Sequence, residues 1–208
     1  MRSYKTVKNK SFDEFVEKRS RFIGYVCPVK TVEEANDFIN EIKQKHWDAK
    51  HNVYAYILKD GNIKKFSDDG EPQGTAGMPV LDVLEKTGVT DVCVVVTRYF
   101  GGILLGGGGL VRAYSHSAKI ALESGQIITM APCSVLKASC DYSFYGKLNS
   151  VIENFSGVVI NTDFSDKTTV TFRVLNEKEE SIKSKIFETS NGKIMPEKVG
   201  ESFEEMNL

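Results

Sequence analysis

The stretch Asp91-Val92-Cys93-Val94-Val95-Val96-Thr97 constrains this chain more than any other. Its apolar side chains fall on both faces of an extended backbone, and β-branched residues dominate. Such a segment is a central strand with neither face left in water. Elements placed around it follow from local signals. Residues 11–30 alternate loosely through Phe12, Phe15, Phe22, Ile23, Tyr25 and Val26, which predicts two strands with a turn near Lys18-Arg19. Thr31-Val32-Glu33-Glu34 is a capping box, in which the Thr31 hydroxyl serves the third helical amide and Glu34 reaches back. Val32, Ala35, Phe38, Ile39 and Ile42 then keep helical spacing, so 32–46 is an amphipathic helix. Val53–Lys59 reads as a strand, closed by a turn at Asp60-Gly61. Residues 67–79 hold three glycines and two prolines and must be a loop. A helix over 79–86 stops at Gly88. After the central strand, a glycine run leads into a helix carrying Leu110, Val111, Ala113, Tyr114, Ala118, Ala121 and Leu122, which ends at Gly125.

Residues 126–134 contain Pro132 and lack periodicity, which places a domain boundary there, with domains 1–130 and 131–208. Beyond it the chain reads strand (135–142), helix (144–155), strand (157–164), strand (168–175), helix (177–190) and a short final strand. The order β-α-β-β-α-β fits a ferredoxin-like domain.

No apolar run approaches the roughly 20 residues that cross a bilayer, and polar sequence follows the basic start. A cytoplasmic protein with no membrane partner is the expectation. Cys27, Cys93, Cys133 and Cys140 form no C-x-x-C pair, so reduced thiols are expected rather than a disulfide framework. A net charge of −1 excludes binding of polyanions by bulk charge. Charge is unevenly spread, however: residues 1–30 carry Arg2, Lys5, Lys8, Lys10, Lys18, Arg19, Arg21 and Lys30 against Asp13, Glu14 and Glu17.

Nucleotide fingerprints fail. Gly102 and Gly107 have the phosphate-loop spacing, but Gly108 and Gly109 stand where Lys and Ser/Thr belong, and G-x-G-x-x-G ends on Val111 or Arg112. A strand ending in Arg98, a glycine run and a helix start still form a place where bare amides and a helix dipole can meet an anion, with Arg98 and Arg112 adding charge. Tight backbone packing explains the same glycines. Asp68, Asp69 and Glu71 offer three carboxylates within four residues to a hard cation, or simply build turns. No Cys/His ligand spacing and no G-x-S-x-G elbow occur, and His116 reads as a polar helix residue. Trp47, the single tryptophan, reads as core. Tyr54, Tyr56, Tyr99, Phe100 and Tyr114 interleave with Lys50, Arg98 and Arg112, as in a stacking surface for nucleic acid or in ordinary packing.

Four blocks carry a resemblance. They are Lys18–Ile23, Lys50–Tyr56, Asp68–Gly77, and Val96–Gly102 continuing through Gly108–Tyr114. Together, in this order over about residues 15–125, they resemble the signature blocks of the YigZ/IMPACT family. The resemblance implies an α+β protein. Its first domain would have the ribosomal-protein-like α+β fold found in domain IV of elongation factor G, and its second the ferredoxin-like fold of that factor's domain V. Eukaryotic IMPACT proteins act in translational control by competing for the activator of a starvation-sensing kinase. Bacteria lack that kinase, so a translation-linked binding role is what the resemblance implies here.

The resulting expectation is a binding and regulatory protein that contacts RNA, the ribosome or a ribosome-associated protein, with a homodimer as a further expectation. The candidate binding residues are Arg19, Arg21, His51, Asn52, Asp68, Asp69, Glu71, Arg98, Gly101, Gly102, Gly108, Gly109 and Arg112. No residue is assigned to catalysis or to metal, and no cofactor is expected. The alternative is a metal- or phosphate-dependent, hydrolase-like enzyme working in a cleft between loop 67–79 and the glycine segment 101–109.

Overall fold

A computed structural model describes residues 2–205. The chain is an α+β protein that divides into two compact units, one spanning Tyr4–Thr129 and the other running from Met130 onward together with the residues before Tyr4. The first unit runs β1 (Tyr4–Val7), β2 (Ser11–Glu17), β3 (Ser20–Pro28), α1 (Val32–Lys45), β4 (His51–Leu58), β5 (Ile63–Ser67), α2 (Gly77–Thr87), β6 (Val92–Tyr99) and α3 (Gly107–Ser124). Its main sheet has the order β2-β3-β6-β4-β5, and every pairing along it is antiparallel.

The valine-rich strand β6 lies at the centre of this sheet, buried from Val92 to Arg98. Its alternation divides two cores. Val92, Val94 and Val96 pack with Phe22, Val26, Val53, Leu84 and Leu122 under α2 and α3. Cys93 and Val95 pack with Ile23, Tyr25, Tyr56 and the stripe Ala35, Phe38, Ile39 and Ile42 of α1. Side chains at odd and even positions of each strand thus feed different layers, and helices seal both faces. Gly24 lets α3 approach closely. A Cβ there would lie 2.4 Å from the Ser117 carbonyl oxygen, so no larger residue fits without moving the helix.

The capping box on α1 forms as expected on one side: the Glu34 amide donates to Thr31 Oγ1 at 3.2 Å. Glu34 reaches back one residue further than the motif requires, accepting from the Lys30 amide at 2.6 Å. Gly88 ends α2 in the left-handed conformation at φ 73°.

The second unit holds β7 (Ile127–Cys140) from Met130 onward, α4 (Tyr142–Asn154), β8 (Val158–Phe164), β9 (Thr168–Leu175), α5 (Glu179–Thr189) and β10 (Glu197–Glu205). Its strands lie in the order β10-β7-β9-β8, all antiparallel. Leu136, Phe172, Leu148, Ile152, Ile182 and Ile186 form a third core, separate from the first two.

Two expectations about local structure need correction. Residues 127–134 are the first half of a long strand, not an aperiodic linker. The β7–β9 pairing begins only at Cys133, so Pro132 is not required to donate to β9. Helix α3 begins at Gly107 rather than after the glycines, so three of them form its first turn. β1 and β5 carry no sequence signal of their own; Phe66, at 37% exposure, shows how little of β5 is buried.

Candidate functional site

One end of the first sheet gathers the candidate residues. The register puts Arg21 opposite Tyr99, His51 opposite Arg98, and Tyr54 opposite Ser67. The β2–β3 turn, the α1–β4 connection, the β5–α2 loop and the β6–α3 loop therefore all emerge together. The acidic turn and the glycine bend do meet, as walls of a cleft of about 390 Å³ lined by Glu71, Pro72, Arg98, Phe100, Leu104, Gly106 and Gly107, with Lys50 and His51 at its side.

At the floor is a buried ion pair. Arg98 Nη1 donates to Glu71 Oε1 at 2.6 Å, with the two side chains 7% and 4% exposed. The Tyr114 hydroxyl donates to the same oxygen at 2.8 Å. Burial, and after it the Glu71 charge, push the Tyr114 phenol far above its ordinary range, so it stays a donor. The guanidinium carbon of Arg98 lies 5.4 Å from the Phe22 ring centroid and 5.5 Å from that of Phe100. Its Nη2 reaches Ser20 Oγ at 3.5 Å, and its Nε is buried without a partner.

The three carboxylates of the loop turn to three different tasks. Asp68 accepts from the amides of Gly74, Ala76 and Gly77 at 2.8–3.1 Å and so anchors the start of α2. Asp69 pairs with Lys43 at 2.7 Å, accepts from the Asn52 amide, and offers its own carbonyl to His51 Nδ1 at 2.9 Å. A carbonyl only accepts, so His51 carries its proton on Nδ1. Glu71 serves Arg98 and Tyr114. The carboxylates do not converge, and among the described residues no group of three His, Cys, Asp or Glu side chains is placed to hold a metal ion. The metal-dependent form of the enzyme alternative therefore lacks a ligand set.

Asn52 is buried and takes a hydrogen bond from Thr97 Oγ1 at 2.7 Å, a structural task. Arg21 is exposed but paired with Glu14 at 2.6 Å. Arg19 stands free of the core on the Lys18-Arg19 turn, where both residues have positive φ, 45° and 66°. This is the two-residue hairpin turn that matches strand twist, here built without glycine and at some local strain. The turn is held by Gly101: a Cβ on it would sit 2.0 Å from the Arg19 carbonyl carbon. Gly102 is exposed at φ 82°. Gly108 and Gly109 lie in the first turn of α3, and Arg112 is exposed one turn on. Arg112 lines a second hollow with Lys18, and among the described residues it has no acidic partner.

Sequence reasoning misplaced Trp47, which is 83% exposed and not core. The signal was present. The apolar stripe of α1 runs 35, 38, 39, 42 and next reaches 46, so 47 falls off it. His46 takes the stripe position. Its Nε2 lies 2.7 Å from the Tyr25 hydroxyl and its Nδ1 2.8 Å from that of Tyr99, whose proton goes to Asp48 at 2.9 Å. Nδ1–H must then be the donor to Tyr99, and Nε2 accepts from Tyr25. This chain of bonds fixes the loop that presents Trp47. Tyr114 as partner of Glu71 was also missed, because only the fold brings α3 over the loop.

All four cysteines are free thiols, with Cys27 half-buried and the other three buried. Among the described residues no helix is long and apolar enough to cross a membrane.

Comparison with known proteins agrees with this layout. Residues 18–122 match the Impact N-terminal domain, and residues 139–193 match a domain of unknown function. The chain is 38% identical over 194 residues to the IMPACT family member YvyE of Bacillus subtilis, covering 93% of this chain and 89% of that one. It is 37% identical over 150 residues to the IMPACT family member YigZ of Escherichia coli, covering 71% and 74%. A crystal structure of a hypothetical protein aligns over 96% of this chain and 98% of its own, with a TM-score of 0.62 and 30% sequence identity. The chain belongs to the IMPACT family, as a two-domain member in which an Impact N-terminal domain precedes a domain of unknown function.

Proposed function

We propose that this chain is a cytoplasmic, translation-linked binding protein whose first domain holds single-stranded RNA at the end of its sheet. One observation carries the reading: basic side chains with no acidic partner among the described residues share that end with exposed aromatics. Lys18, Arg19, Lys50 and Arg112 are exposed there, beside Trp47 at 83% and Phe100 at 47% exposure. Cations along a backbone path with rings offered to bases are what sequence-tolerant single-strand binders use. The finer fold reading accords with this role. The order β10-β7-β9-β8 supports a ferredoxin-like second domain, as in domain V of elongation factor G, and the first domain would correspond to its domain IV.

Fluorescence anisotropy with a labelled oligouridylate and with a duplex of equal length tests the proposal. The single strand should bind, the duplex more weakly. Trp47→Ala with Phe100→Ala should weaken single-strand binding by roughly 1–3 kcal/mol per lost stack. No binding of the single strand at low salt would remove the reading.

A further inference from the structure

We propose that Cys27 and Cys93 form a redox modification site, where a hydroperoxide drives a reversible disulfide between β3 and β6. The site stands apart from the candidate RNA surface and does not depend on it. Register is the first argument. β3 and β6 run antiparallel without a bulge, and Cys27 stands directly opposite Cys93. Residues opposed in this way point to the same face of a sheet. Both side chains lie in the layer under α1, with Ala35, Phe38, Ile39 and Ile42, and both are free thiols. The kind of pairing is the second argument. The Val29 amide donates to the Asp91 carbonyl at 3.0 Å, which marks residues 29 and 91 as a hydrogen-bonded pair. Two residues along, Cys27 and Cys93 are then another such pair. Pro28, with no N–H to give, falls on the position between, opposite Val92, where the ladder asks for none. In a hydrogen-bonded pair the Cα atoms lie about 5.5 Å apart, inside the span of a disulfide. The Cβ atoms must close by about 1–2 Å to make one. A bridge here is therefore strained, and a strained disulfide is the readily reduced, regulatory kind.

The two thiols differ in access. Cys27 is half-buried and donates its S–H to the Pro28 carbonyl at 3.4 Å, whereas Cys93 is fully buried. Peroxide therefore meets Cys27 first. The Cys27 sulfur attacks one peroxide oxygen: the S–O bond forms, the O–O bond breaks, and water leaves a sulfenic acid whose sulfur has lost two electrons. The Cys93 sulfur then attacks that sulfur. The S–S bond forms as the S–O bond breaks, and hydroxide departs with the Cys93 proton as a second water. One peroxide is reduced and two thiols are oxidised, so atoms and electrons balance. Burial pushes both thiols above their ordinary value, with Lys10 opposing this at Cys27, so thiolate is scarce and the first step is slow. The pair answers sustained oxidant, and the bridge spares Cys27 the irreversible step to sulfinic acid. Cys133 faces Leu175 and Ser202, and Cys140 faces Thr168. With no cysteine opposite, these two serve as internal controls.

Mass spectrometry of the folded full chain, incubated with hydrogen peroxide and alkylated in a denaturing quench, tests the site. The natural chain should lose two hydrogens and yield one cross-linked peptide pair, Cys27 to Cys93, with Cys133 and Cys140 alkylated. Glutathione should restore all four thiols. Cys93→Ala should stop at a Cys27 sulfenic acid that dimedone traps, and should pass on to sulfinic acid in excess peroxide. Cys27→Ser should leave Cys93 alkylatable. The natural chain decides the question by itself, and the unfolding midpoint of each variant shows whether its fold is kept. Both thiols persisting at a dose that fully oxidises free glutathione would overturn the proposal. So would sulfinic acid at Cys27 of the natural chain in place of the bridge, a bridge that forms only in urea, or cross-links through Cys133, Cys140 or a second chain.

Discussion

Arg98 shows how a residue can be picked out correctly and given the wrong task. Its place at the end of a strand before glycines suggested an anion-binding cation, but the fold encloses it between Phe22 and Phe100 and ties it to Glu71. Arg98→Ala should therefore cost about 3–5 kcal/mol of stability by stranding the Glu71 carboxylate, measured by urea unfolding, and it is no test of ligand binding. Sequence could not reveal this, because burial depends on α3 and the 67–79 loop meeting above the sheet. His46 was readable only in part: it continues the α1 stripe, but its two tyrosine partners follow from the fold. Burial chiefly, then the Lys45 charge, lowers its pKa below the ordinary 6.5. The folded chain thus binds this proton less readily than the unfolded one. The resulting stability is complete above about pH 6.5 and is lost as pH falls toward the folded value. Urea midpoints at about pH 8 and about pH 5.5 should show a smaller fall for His46→Gln than for the natural chain. An equal fall in both would refute the assignment.

Most elements announced themselves by local physics. β6 was legible from its valines, α1 from its cap and stripe, and the β2–β3 turn from its position between alternating runs. The start of α3 was not, because glycine opposes helix by about 1 kcal/mol per residue and only tertiary packing overrides that. β5 was invisible because it is an exposed edge strand that owes its form to pairing with β4. The 67–79 loop was recognised as a loop, but its internal order comes from Asp68, which caps α2 with three amides. Asp68→Ala should lower stability by roughly 2 kcal/mol and disorder that wall of the cleft, whereas Asp68→Asn should retain part of the cap. Gly101 joins two loops at one point. Gly101→Ala should push the Lys18-Arg19 turn away and weaken RNA binding more than it lowers the unfolding midpoint, since the strain falls on the rim and not on the core.

Across the whole molecule, the two units carry separate cores, one pair on either side of the first sheet and one in the second unit. The hydrophobic patterns that build them were readable throughout, whereas the meeting of four loops at one end of the first sheet was not, because it follows from strand register and no residue encodes it locally. A chain ending at Thr129 should unfold cooperatively and retain RNA binding, checked by calorimetric melting and anisotropy. Location decides the central claim, and amide chemical shifts read location directly. Titrating the isotopically labelled full chain with a short oligouridylate should move resonances of Lys18–Arg21, Trp47–Asn52, Asp68–Thr75 and Arg98–Arg112, with the effect fading as salt is raised. Shifts confined to the second unit, or none at low salt, would contradict the account.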